Sequence, residues 1–161
     1  MSLKKRGTDY RSFDYLESGV DYPKFELAVE IDRVEPTPVP LTDAEEARVE
    51  ALVRDHVMIS LHEHLGTFPA DIGQTPAYVR EGRIATAFEG LAESYWDAVF
   101  DNLLDGICTI ESKSGWKWND VLHDLGMRLC DLAHQDFVIH CTGVDDILRA
   151  RATVDRIYVD E

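Results

Sequence analysis

No stretch of the 161-residue chain approaches the roughly 20 consecutive apolar residues of a membrane span, so a transmembrane helix is not expected. The N-terminal MSLKKRGTDYRSFDYLES begins basic but has no apolar core behind it, which excludes a signal peptide reading. Positive charge is scarce: 16 Lys and Arg stand against 31 Asp and Glu, a formal charge of −15. Such a surface repels nucleic acid and anionic membranes instead of binding them. The acidic residues are spread along the chain and form no tail. Cysteine is also scarce. Cys108, Cys130 and Cys141 are odd in number and lack CxxC spacing, so a disulfide framework and a zinc ribbon are both disfavoured. Reduced thiols in a cytoplasmic protein are the expectation. Internal repeats and low-complexity segments are absent.

What is present reads as alternating elements. Residues 1–40 carry scattered aromatics and then VEPTPVP, whose Pro36, Pro38 and Pro40 suit only an extended connector. They are expected to form an N-terminal extension packed on a main body over residues 41–161. LTDAEEARVEALVRDH has the clearest helix start: Thr42 and Glu45 make a capping-box pattern, and Val49, Leu52 and Val53 recur on one face. VMISL, from Val57 to Leu61, is short, apolar and partly β-branched, as in a strand buried on both faces. GTFPADIGQTPAYVREGR is broken by Gly and Pro and reads as a long loop. YWDAVFDNLLDGICTIES reads either as a strand beginning at Ala98, Val99 and Phe100 or as an extension of a helix from ATAFEGLAESY, and a strand near Ala98 to Leu103 is the favoured reading. An amphipathic helix follows, with Val121, Leu122, Leu125, Leu129 and Leu132 on one face. FVIH is a short strand, TGVDDILRARA a helix opened by Thr142 with Asp145 three positions on, and RIYV the start of a further strand. This alternation predicts a parallel α/β fold.

His62 and His64 close the first strand. Residues two apart on a strand share a face, so both imidazoles should converge at its C-terminal end, with Glu63 turned the other way. Parallel α/β folds place their active sites at that end. A zincin helix needs HExxH, and HEHLG lacks the second histidine of that motif. A catalytic zinc takes three protein ligands plus water, so two histidines do not complete a site. Among the other histidines, His56 and His134 stand at helix C-termini, where an imidazolium suits the dipole. His123 falls on a polar helix side. His140 ends the FVIH strand and is alone in a position comparable to the pair.

Taken together, VMISLHEHLG, WDAVFDNLLDG, SGWKWNDVLHDLGMRLCDLAHQDFVIH and DDILRARA resemble the start of a renal-type membrane dipeptidase, and more closely its soluble bacterial branch, in the amidohydrolase superfamily. The likeness runs from about residue 55 to residue 152. HxH is generic to the superfamily; the series DNLLDG, SGWKW, DLGMRL and AHQDF is the more specific part. The resemblance implies the start of a (β/α)8 TIM-like metal-hydrolase barrel, incomplete in this chain, since such a barrel takes about 250 residues. It implies two metal ions, usually zinc, metal-assisted hydrolysis of a dipeptide or related small amide, and a homodimer. It places the first metal-binding pair at His62 and His64. The best-known members carry His then Asp there, so His64 departs from their pattern, whereas the wider superfamily commonly uses His at both. The family's bridging Glu falls near Glu161, but RIYVDE does not show the expected motif and that role is not carried over. The chain alone is expected to be inactive.

Two other readings stay open: a deaminase or lactonase reaction on the same metal pair, and a non-catalytic domain keeping the barrel start. Trp116 and Trp118 fit a substrate pocket, and fit equally a cap on the barrel or a subunit contact.

Overall fold

The structure is a computed structural model describing residues 8–81, 83–102, 118–152 and the backbone of 157–160. The expected roles or positions of Leu103, Cys108, Trp116 and Glu161 lie outside these residues.

Helix α1 spans Asp43–Asp55. Thr42 opens it with both halves of the capping box: Glu45 N–H donates to Thr42 Oγ1 and Thr42 N–H to Glu45 Oε2 at 2.8 Å. The Thr42 amide and hydroxyl hold the Glu45 carboxyl below its ordinary pKa. Only Val53 of the expected apolar face is buried; Val49 and Leu52 are exposed.

Strand β1 is Ile59–Glu63, two residues later than expected, because Met58 is already committed elsewhere. Its N–H donates to the Asp97 carboxylate at 2.9 Å, and its carbonyl accepts from Asp97 and Ala98 N–H. The ladder therefore begins at Ile59. The expectation of burial on both faces is corrected: Ser60 is buried, but Leu61 is 78% exposed. β1 lies at the sheet edge and pairs, among the described residues, with one strand only.

The segment read as one long loop is also corrected. It contains β2 (Gly66–Thr67), a single 3-10 turn at Ile72–Gln74 and helix α2 (Thr75–Glu81). Asp71 accepts from Gly73 N–H to start the turn, and Pro76 sits in the first turn of α2, where its missing N–H costs nothing. Tyr78 anchors the helix: it is buried, and its hydroxyl accepts from Ala85 N–H at 2.7 Å. β3 (Ala85–Thr86) pairs antiparallel with β2, and helix α3 (Phe88–Glu93) follows.

Strand β4 is Ala98–Asp101, helix α4 Trp118–Ala133, strand β5 Val138–His140, helix α5 Val144–Ala152 and strand β6 Ile157–Asp160. β1, β4, β6 and β5 stand side by side in that order, every pairing parallel. β6 thus returns between β4 and β5. The right-handed rule for parallel crossovers, applied to a β5-to-β6 step running backwards, predicts α5 on the face opposite α4. Packing agrees. Val99 and Val138 meet Phe88, Leu91 and Leu132 on one face, whereas Ala98 and Ile139 meet Ala150 and Ile147 on the other.

Two sequence-level expectations for the helices change. The inner face of α4 is formed by Arg128, Asp131 and Leu132, all buried, while Leu122 and Leu129 are exposed. The helix is rotated because Arg128 and Asp131 have partners inside. At α5, the Thr142 amide and hydroxyl donate to Asp146, not to Asp145.

The N-terminal segment is strapped across this body. Tyr10 Oη–H, Ser12 Oγ–H and Phe13 N–H all donate to the fully buried Asp131 carboxylate. Tyr10 packs edge-on against Phe88 at 5.2 Å, and residues 26–28 run antiparallel to residues 68–70 through Ala28 N–H to Phe68 O and Ala70 N–H to Glu26 O. Phe13 is held at φ 64°, a left-handed conformation that costs a non-glycine residue about 1–2 kcal/mol. Its burial and its bond to Asp131 offset that strain.

Candidate metal centre

His62 lies in β1 and His64 immediately beyond it, at the C-terminal end of the parallel sheet. Both are exposed, and their rings meet edge to face with centroids 4.9 Å apart. The two Nε2 atoms are 3.1 Å apart. With a Zn–N distance of about 2.05 Å, that separation corresponds to an N–Zn–N angle of about 98°, between octahedral and tetrahedral values. Without an ion, one Nε2–H must donate to the other ring. With both protons on Nδ1, both Nε2 atoms carry a lone pair available to a cation. The donor chemistry and spacing therefore fit two positions of a zinc site.

The backbone beside the pair is irregular. Pairing of β1 with β4 runs Ile59 with Ala98, Ser60 with Val99 and Glu63 with Asp101, so β1 carries one extra residue between Ser60 and Glu63. This bulge brings Ser60 and Glu63, three apart, to the same side, where Ser60 Oγ–H donates to Glu63 Oε1 at 2.5 Å. Glu63 is thereby engaged by Ser60. Among the described residues, no group of three or more His, Cys, Asp or Glu is placed to hold a metal, so neither Glu63 nor His140 completes the site there.

The remaining histidines have local roles. His56 caps the C-terminus of α1, and His123 is exposed on α4. His134 Nδ1 lies 2.7 Å from the Cys130 carbonyl, and its ring stacks on Tyr15 at 3.7 Å. Trp118 is exposed at the start of α4. Cys130 is exposed and Cys141 buried. A cleft of about 720 Å³ lies between the N-terminal segment and the β2–β3 pair, and neither His62 nor His64 lines it.

Buried charge at the two ends of β4 was not legible in advance. Asp97 ties Met58 at the N-terminal end and faces Arg151 of α5 at 3.7 Å. Asp101 accepts from Leu65 N–H at 3.3 Å at the C-terminal end and faces Arg128 of α4 at 3.6 Å. Arg128 also donates to Thr86. The available signal was a carboxylate on each side of the apolar AVF in WDAVFD, but in a chain with 31 acidic residues it does not stand out.

Among the described residues, no helix is long and apolar enough to cross a membrane. A scan of protein-family models, a search of curated proteins and a search of solved structures each gave no match to this chain.

Proposed function

We propose that the chain carries the first metal-binding pair, His62 and His64, of a metal-dependent hydrolase resembling the membrane dipeptidases and acting on a dipeptide or related small amide. The observation that supports this most is the 3.1 Å approach of the two Nε2 atoms at the C-terminal end of a parallel sheet. In this reading β1 and β4, parallel neighbours, begin the (β/α)8 barrel, and the remaining ligands lie outside the described residues. Zinc bound there supplies a water of lowered pKa and Lewis-acid polarisation of a scissile carbonyl. His62 and His64 are the imidazole donors in this reading. The acidic surface, with a formal charge of −15, fits a small-molecule substrate better than nucleic acid or an anionic membrane. Reduced cysteines in the cytoplasm and a homodimer belong to the same reading.

Zinc titration of the protein carrying the remaining ligands, against a competing chelator, tests it. Structural zinc sites of four ligands are worth about 10–16 kcal/mol, or roughly 2.5–4 kcal/mol per ligand. Replacing His62 or His64 with Ala should therefore weaken binding by about 10²- to 10³-fold. No zinc uptake, or uptake unchanged in both variants, refutes the metal site. If zinc binds, dipeptide cleavage by the protein carrying the remaining ligands supports the peptidase assignment. Failure on dipeptides with turnover of a lactone or an aminated base replaces it.

A further inference from the structure

We propose that Asp101 is a positioning residue for the His62–His64 pair, an inference that rests on the metal-site reading above. Its carboxylate is fully enclosed at the C-terminal end of β4, directly opposite Glu63 in the strand register. Asp101 Oδ1 accepts from the N–H of Leu65, and the next residue of the same strand end, Asn102, donates its N–H to the Glu63 carbonyl at 2.9 Å. The peptides on both sides of His64 are thus fastened to one short stretch of β4. Ala87 N–H adds a third tie, to the Leu65 carbonyl at 2.8 Å. His64 stands beyond the last ladder residue of β1, where no regular strand pairing would otherwise fix it.

The cost of this arrangement marks it as more than packing. Asp101 Oδ2 is buried and, among the described residues, has no hydrogen bond. Its nearest cation, Arg128 Nε, stays at 3.6 Å, beyond a good hydrogen bond, and Arg128 is itself turned to Thr86. A buried carboxylate with one unbonded oxygen is expensive, and it is offset only in part by Arg128, which an apolar residue at this position would leave buried without it. What an apolar residue could not do is accept from the Leu65 amide. Metal sites need their donors held within about 0.5 Å, and partners that orient ligands are worth about 10- to 100-fold in metal affinity.

Two conservative variants separate positioning from a merely structural ion pair. Asp101→Asn keeps an acceptor oxygen for Leu65 N–H but removes the charge facing Arg128. Asp101→Glu keeps the charge but moves the oxygens by a methylene. Zinc chloride is titrated against a chelator into each variant of the protein carrying the remaining ligands, and ring-proton contacts between His62 and His64 are followed by NMR without metal. Positioning predicts near wild-type affinity and an intact ring contact in Asp101→Asn. It predicts about a 10- to 100-fold loss of affinity and a weakened ring contact in Asp101→Glu. The reverse order, equal losses, or no loss in either overturns it. If Asp101→Glu does not fold, Asp101→Leu, which has no acceptor, takes its place with the same expectation. If the wild-type protein takes up no zinc, the hydrolase reading fails by itself, and the metal-free ring contacts still decide the positioning role.

Discussion

Replacing Asp131 with Ala removes, in one step, the acceptor for Tyr10 Oη–H, Ser12 Oγ–H and Phe13 N–H. The carboxylate is fully buried, so none of these bonds competes with bulk water. Bonds to a charged acceptor contribute about 1.5–3 kcal/mol each, so the three total about 4.5–9 kcal/mol before any correction. Relief of the carboxylate's desolvation returns several kcal/mol of this. The net loss should be about 3–5 kcal/mol, a large part of the roughly 5–15 kcal/mol stability of a typical domain. Phe13 enlarges the effect locally: its left-handed backbone at φ 64° loses the bond that helps to hold it. Asp131→Asn keeps an acceptor at Oδ1, the oxygen shared by Tyr10 and Phe13, and should lose about half as much. Urea unfolding gives the stability, and limited proteolysis followed by mass spectrometry reports cleavage within residues 8–30. A loss under about 1 kcal/mol for Asp131→Ala, with the segment as protected as in the wild type, would refute the idea that this carboxylate holds the strap.

Burial, and then the bond to Asp131, push the Tyr10 phenol up from its ordinary value near 10. A folded-state pKa above the unfolded one means that this contribution is complete below about pH 10 and is lost as pH rises beyond it. Tyr10→Phe should therefore flatten the alkaline fall in stability, measured by urea midpoints between about pH 9 and 11. Tyr78→Phe leaves the Ala85 amide without its acceptor in a buried place and should cost about 1–3 kcal/mol by thermal or chemical denaturation. Thr42→Ala should lower stability by about 0.5–2 kcal/mol through loss of the α1 cap. It should also let the Glu45 carboxyl titrate closer to its ordinary range, which NMR titration would show. In the wild type, the stabilisation linked to Glu45's lowered pKa is present above the ordinary carboxylate range and is lost as pH falls through the folded value.

Local chemistry alone determined several features. The Thr42–Glu45 pair fixed the start of α1, because a capping box is closed within four residues. The HxH spacing put the two imidazoles within reach of each other, although His64 stands beyond the last residue of β1 and strand alternation does not by itself account for their contact. The helices Trp118–Ala133 and Val144–Ala152 likewise follow from short-range pattern, whereas local pattern left the segment at Ala98 open between strand and helix. Only the tertiary structure decided that β6 runs between β4 and β5, that β1 is an edge, and that α4 turns Arg128 and Asp131 inward. Each depends on partners far away in sequence: Asp131 on residues 10–13, Arg128 on Thr86 and Asp101, and Asp101 on Leu65. Hydrophobic periodicity cannot anticipate a helix face built from buried charge, because the burial of Arg128 and Asp131 is made tolerable only by groups that other elements supply. The bulge that matches Glu63 to Asp101 was hidden for the same reason. Register is a property of two strands together, and β1 by itself carries no record of where β4 ends.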